Sequence, residues 1–278
     1  MVILSQWKVQ LFTRFLSFLK TLYNNRYMIK SFALADIKKR YTGSFGGMLW
    51  SVIQPLAFLL TYYVVFSYFF KAKVSAEYGT SSYALWLISG LLPWFFFSDT
   101  VTRSASALHE NQALVTKTLF PSEIIPVCLL VSGIINHVIG LAIFFIFSLA
   151  ITGSVSVFSP VVVLYFFLMA VLVLGISWGL SSLNVFVRDI GQMVTIVLNL
   201  LFFYTPIIYP FGIIPGKLQF LFKLNPMYHV VEGYRGVLVA SKVPDLYHLL
   251  YLFLFASASF IAGGLIYKKL KPAFADVL

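Results

Sequence analysis

Six long apolar segments, at residues 48–70, 83–101, 124–151, 157–187, 192–209 and 246–267, dominate this chain. Each can cross a hydrocarbon core, which takes about 20 helical residues. In lipid every backbone N–H and C=O must be satisfied within the crossing segment, so each is expected to be an α-helix. The fold class is therefore an all-α membrane protein with six transmembrane helices. Little remains outside them: the largest other stretches are residues 1–47 and 210–245. With 60% of residues hydrophobic, 10% charged and a mean hydropathy of +0.91, a soluble domain of this size is excluded.

Charge orients the spans. Lys8, Arg14, Lys20, Arg26, Lys30, Lys38, Lys39 and Arg40 precede the first span, with Asp36 the one acid among them. Arg103, Lys117, Arg188, Lys268, Lys269 and Lys271 fall on the same side, and Lys71, Lys73, Lys217, Lys223, Arg235 and Lys242 on the other. The positive-inside rule then places both termini in the cytoplasm, which an even number of spans requires. A seventh crossing through residues 210–245 would carry the Lys268–Lys271 cluster outside. The net charge of +11 thus reads as membrane topology, and no nucleic-acid partner is expected. Leu4, Trp7, Leu11, Phe15, Phe18 and Leu22 recur at helical spacing as one stripe, opposite Gln10, Arg14, Ser17 and Lys20. This predicts an amphipathic helix in the cytoplasmic interface, held by membrane lipids, rather than a signal peptide. The chain divides into an interfacial and gate region, 1–47, and a six-span region, 48–278.

Three pieces depart from plain spans. In residues 36–56, DIKKRYTGSFGGMLWSVIQPL, Asp36 and Arg40 lie one helical turn apart and can pair. Gly43, Gly46 and Gly47 then allow a tight turn before Gln54 and Pro55 enter the first span, a bent entry suited to a gate. Residues 103–123, RSASALHENQALVTKTLFPSE, form a cytoplasmic connection that is helix-compatible through 114–119 and stopped by Pro121. It is either a plain loop or a docking element for a soluble partner, with Arg188 and Asp189 in the next cytoplasmic turn as a second contact. In residues 205–238, Pro206, Pro210, Pro215 and Pro226 forbid one continuous helix, yet Ile213, Ile214, Leu218, Phe220, Leu221 and Phe222 need cover. Two short re-entrant helices at the outer face over residues 210–238 reconcile these facts.

Signals for catalysis are missing. Gly216-Lys217 lacks the preceding glycine and following hydroxyl of a phosphate loop. His109, His137, His229 and His248 are scattered without metal-ligand spacing, so neither metal nor cofactor is expected in this chain. His137 is read as a hydrogen bond to a neighbouring helix rather than a proton relay. Asp99 and Arg103 are one turn apart and neutralise each other. Cys128 sits among apolar neighbours as a buried thiol. Aromatic residues, by contrast, make up 18% of the chain, and a subset lining a pore would offer apolar faces that suit sugar rings.

The stretches DIKKRYTGSFGGMLW with the following QPL, GLLPWFFFSD, LNVFVRDI, and TPIIYP followed by LNPMYHVVEGYRG resemble, in order and spacing, the membrane subunit of type-2 ABC exporters that move O antigen, capsule or teichoic acid. Phe45-Gly46 replaces the family's frequent Leu-Gly. The resemblance covers essentially the whole chain. It implies a non-enzymatic channel-forming subunit in a bacterial inner membrane, working as two copies with a cytoplasmic ATPase pair that holds the ATP and Mg, on a lipid-linked glycan. It implies ATPase coupling by Val115, Thr116, Lys117, Thr118, Leu119, Phe120, Pro121, Arg188 and Asp189. A cytoplasmic gate would use Arg40, Tyr41, Gly43, Gly46 and Trp50, and an outer gate Pro210, Pro215, Asn225, Pro226, Tyr234 and Arg235. Tyr62, Tyr63, Phe66, Trp94 and Tyr204 are the candidate channel aromatics. Two rivals stay open: an exporter of drugs or small lipids on the same scaffold, and a membrane transferase acting on polyprenyl-linked sugars.

Overall fold

The computed structural model describes residues 23–41, 46–65, 82–117 and 120–278. Among these the chain is helical, with no β-strand. Helix α1 (Arg26–Tyr41) precedes α2 (Trp50–Val64), α3 (Tyr83–Glu110), the short α4 (Gln112–Lys117), α5 (Ile124–Thr152), α6 (Val162–Asn184) and α7 (Ile190–Tyr204). Two short helices, α8 (Gly216–Lys223) and α9 (Pro226–Leu238), lead into α10 (Leu246–Leu270) and the terminal α11 (Phe274–Val277). The proposed N-terminal stripe, Leu4 to Leu22, lies outside the described residues.

Four helical segments among those described, Tyr83–Glu110, Ile124–Thr152, Ser159–Phe186 and Leu246–Val277, are long and apolar enough to cross a membrane. Helix α7 is apolar but shorter, at 15 residues. The first expected span coincides with α2 as far as residue 65 and continues beyond the described residues. Two of the boundaries that differ from the sequence expectation have a local cause. Helix α3 runs on through Arg103 to Glu110, because nothing between Asp99 and Glu110 interrupts a helix. Helix α7 stops at Tyr204 instead of 209, with Thr205 extended at φ −103° and ψ 124°. Pro206 explains this, since its ring pushes the preceding residue out of the helical region.

Side-chain caps start the later helices. Asn225 Oδ1 accepts the Met227 N–H at 3.0 Å ahead of Pro226, and Asp245 Oδ1 accepts that of Tyr247 at 2.8 Å. Helix α3 forms the centre, buried along most of its length and packed by α5, α6, α7 and α9. Its surroundings are apolar on the outside as well as in the core: large side chains such as Ile146, Phe167, Leu254 and Ile261 point outward. Such a surface suits hydrocarbon rather than water.

Helices α6 and α10 pack most closely of all. A Cβ on Gly263 would fall on the Gly175 carbonyl, and one on Gly175 would fall on the Ser259–Phe260 backbone. The absence of side chains at both positions lets the two backbones touch, as small residues do between membrane helices. Trp178 sets its edge against Phe260 at 5.2 Å, and Ser259 Oγ donates to the Leu172 carbonyl at 3.3 Å.

Candidate functional site

Four charges meet where α1 lies antiparallel to α3. The sequence pairs them within helices, Asp36 with Arg40 and Asp99 with Arg103. The structure pairs them across. Arg40 Nη2 donates to Asp99 Oδ2 at 3.1 Å, and Arg103 donates to Asp36 Oδ1. Arg103 Nη1 also keeps Asp99 at 3.6 Å, and Ser132 Oγ on α5 donates to Asp36 Oδ2 at 2.6 Å. The antiparallel register causes the exchange: one turn along α1 is one turn back along α3, so each acid faces the other helix's arginine.

Above this quartet lies a cavity of about 430 Å³ between α1, α2, α3, α5 and α7. Arg40, Asp99 and Arg103 form one polar end, and Trp50, Phe58, Trp94 and Phe95 supply aromatic walls. Asn136, Thr195 and Asn199 add amide and hydroxyl groups. His137 also lines it, stacked on Phe166 at 4.4 Å with Nε2 3.0 Å from the Tyr234 hydroxyl of α9. That is the cross-helix bond expected of it. An aromatic wall with polar groups set between the rings can hold a ring that is apolar on its faces and hydroxylated at its edges.

The segment expected to dock a soluble partner follows α3. No residue of α4 is buried, and Thr116 and Lys117 are exposed. Val115 packs at the core's edge, and Phe120 sets its ring 5.2 Å from Phe32 of α1. Pro121 is half-buried at the entry to α5. Thr118 and Leu119 lie outside the described residues. Arg188 and Asp189 are exposed in the turn between α6 and α7. His109 Nε2, at the end of α3, bonds the Asn184 carbonyl at 3.0 Å, and Asn184 Oδ1 accepts the Gly191 N–H at 3.0 Å. These bonds fix that turn beside the start of α4. Helix α11 packs against α4, with Phe274 buried against Tyr267. Nothing in the sequence marked this support.

At the other end the chain breaks after α7, and buried side chains bond the freed carbonyls. Arg235 of α9, with no exposed surface, donates to the Pro206 carbonyl at 2.7 Å and the Ile207 carbonyl at 2.6 Å. The same guanidinium pairs with Glu232 at 2.9 Å and lies over the Trp86 ring of α3 at 3.6 Å. Gly90 makes the room, since a Cβ there would sit 2.9 Å from Arg235 Nη2. Tyr83 donates to the Ile208 carbonyl at 3.0 Å, and Asn225 Nδ2 donates to Thr205 Oγ1 at 2.7 Å. Each pairing removes the cost of a buried unsatisfied group.

The scattered histidines were not all isolated. His229 and His248 bring their Nδ1 atoms to 2.7 Å, and His229 Nε2 lies 2.8 Å from the Lys223 carbonyl. Burial pushes the His229 imidazole down to about 4. A carbonyl only accepts, so the neutral ring donates from Nε2 and receives the His248 Nδ1–H. This clasp joins the end of α8 to α9 and α10. Of the six apolar residues that needed cover, Ile214 is buried, whereas Ile213, Leu218, Phe220 and Leu221 face away from the rest of the chain.

The other expected gate and channel residues are dispersed. Gly46 lies under the Trp50 ring, while Gly43 and Phe66 fall outside the described residues. Tyr41, Tyr62 and Tyr63 are placed as helical backbone only. Trp94 lines the cavity, 5.5 Å from Phe202. Tyr204 instead stacks on Phe222 of α8 at 5.2 Å, by the break after α7. Pro210 and Pro215 flank the short turn before α8, and Pro226 opens α9 beside Asn225.

The family described as ABC-2 type transporter matches residues 27–239. The chain is similar to the O-antigen export system permease protein RfbA of Myxococcus xanthus, 29% identical over 263 residues, covering 92% of this chain and 97% of that one. It is equally similar to the RfbA of Klebsiella pneumoniae, 29% identical over 267 residues, covering 94% and 99%. The polysialic acid transport protein KpsM of Escherichia coli is 24% identical over 250 residues, covering 88% and 94%.

Proposed function

Because the chain belongs to the ABC-2 type transporter family, we propose that it is the channel-forming membrane subunit of an ATP-driven exporter of lipid-linked polysaccharide, O antigen or a related surface glycan, across the bacterial inner membrane. Two copies enclose the channel, each with six spans and both termini in the cytoplasm. A cytoplasmic ATPase pair docks on α4, Phe120, Pro121 and the Arg188–Asp189 turn. ATP binding there draws the docking segments together and opens the path. The outward apolar side chains of α8 are covered by the outer leaflet or the second copy.

The observation that carries the glycan reading is the cavity, with its aromatic walls interleaved with amides. Its relatives among O-antigen and polysialic acid permeases support the same cargo class. The test is a strain lacking the gene, followed for lipid-linked glycan and surface polysaccharide together. Intracellular glycan with a bare surface is the expected result. Loss of the lipid-linked glycan itself would point to synthesis and a transferase. An unchanged surface would move the cargo to a drug or small lipid.

A sharper expectation concerns the walls. Trp50 and Phe58 line the cavity while remaining partly exposed, so truncating them removes ring surface without emptying the core. The Trp50→Ala, Phe58→Ala chain is expected to export about tenfold more slowly, one aromatic contact's worth or slightly more. Pulse-labelled surface glycan measures this, and wild-type export would remove these rings from the path.

A further inference from the structure

We propose that Asp36, Arg40, Asp99 and Arg103 form an exchangeable latch, in which α1 leaves α3 by trading its interhelical ion pairs for intrahelical ones. The spacing makes this possible. Both helices carry the acid four residues before the arginine, the orientation in which an isolated helix pairs them well. Closed, each acid is held by the other helix, and the quartet is neutral. Opened, the acid–arginine pair on each helix is neutral by itself. An ordinary ion pair would leave a bare charge at the membrane boundary on each side when broken, at high cost. This quartet never does.

The closed structure already holds half of the exchange. Arg103 contacts Asp36 and keeps Asp99 at 3.6 Å, so a small displacement of α1 suffices to complete the second pair. The four side chains are 22–41% exposed, sheltered enough to prefer a partner and wet enough to change it. Ser132 gives the closed arrangement its bias through a third bond to Asp36. The same helix receives the driving contact. Phe32, one turn before Asp36, packs on Phe120 at the end of the docking segment. A shift of that segment therefore acts on α1, and α1 forms the polar end of the cavity through Arg40. The latch rests on the reading of this cavity as the transport path, but its test needs no cargo.

The experiment places a single reactive thiol in the cavity, Ser98→Cys with Cys128→Ala, in the full chain with its ATPase in inverted membrane vesicles. A membrane-impermeant maleimide is applied from the cytoplasmic face. Reversing α1 alone (Asp36→Arg with Arg40→Asp) keeps its intrahelical pair but sets like charges across the interface. Labelling is expected to accelerate about tenfold, as two weak attractions become two repulsions. Reversing α3 alone (Asp99→Arg with Arg103→Asp) should do the same. Reversing all four restores both interhelical ion pairs, though not the Ser132 bond to Asp36, and should bring the rate back towards that of the parent. The proposal is overturned if the four-residue reversal labels as fast as either two-residue one, or if neither of those differs from the parent. Should a reversed chain fail to insert, Arg40→Gln with Asp99→Asn removes one interhelical pair without repulsion. It is expected to label about threefold faster, and a parent rate there is equally fatal. A wrong glycan assignment would alter none of these rates and would show only in the surface-polysaccharide assay.

Discussion

Replacing Arg235 with methionine is expected to destabilise the protein by about 3–5 kcal/mol, the range for breaking a buried ion pair from one side. Three losses coincide. The buried Pro206 and Ile207 carbonyls lose their donors. Glu232, little exposed, loses the guanidinium beside it. Trp86 loses the cation over its ring. Because the first loss undoes the break after α7, export should fail along with stability. Thermal unfolding in detergent measures the former, with a fall of roughly 10 °C expected for a chain this long.

Two companion variants separate the causes. Arg235→Lys keeps the charge but replaces a planar fork with a point donor that cannot bond both carbonyls at once, so it should recover only part of the loss. Arg235→Met with Glu232→Gln removes the carboxylate that faced the guanidinium and should be more stable than Arg235→Met alone. If it is not, the carbonyls and the packing on Trp86 carry the whole effect. A Met variant as stable as the parent would mean that the break after α7 holds without this side chain.

The sequence made four of the expected spans and the break after α7 legible because both follow from local physics. Apolar length predicts a crossing wherever it occurs, and Pro206 pushes Thr205 before it out of the helical region. Even the quartet was half visible, as two acid–arginine spacings of one turn. What could not be read was the partner. The exchange depends on α1 lying antiparallel to α3 in a register that only tertiary packing sets. The clasp between His229 and His248 spans 19 positions across the turn into α10, and no periodicity links them. Arg235 was named as an outer-gate residue that the resemblance implies, and its acceptors are backbone carbonyls, which have no sequence signature. Tyr204 was grouped with Trp94 by composition alone, whereas the structure sets it against Phe222 near the break. One signal was present and unused: Gly175 and Gly179, like Ser259 and Gly263, are small residues four apart in apolar helices.

That signal yields the second large effect. Gly263→Ala adds one methyl group where the Gly175 carbonyl and Cα already stand, and neither can rotate aside as a side chain would. Helices α6 and α10 must part along their length, opening the Trp178–Phe260 contact and stretching the Ser259–Leu172 bond. Overpacking a core costs about 1–3 kcal/mol where side chains can yield, and a backbone obstacle puts this variant at or above the upper end. Gly175→Ala meets the Ser259–Phe260 backbone and should match it. The adjacent glycine is the control. A Cβ on Gly264 meets open space, so Gly264→Ala should be neutral or gain roughly 0.5–1 kcal/mol from helix propensity. Thermal unfolding of the three variants side by side reads the contrast. Equal midpoints for Gly263→Ala and Gly264→Ala would mean that α6 and α10 do not approach at Gly175, and the close packing of this pair would have to be abandoned.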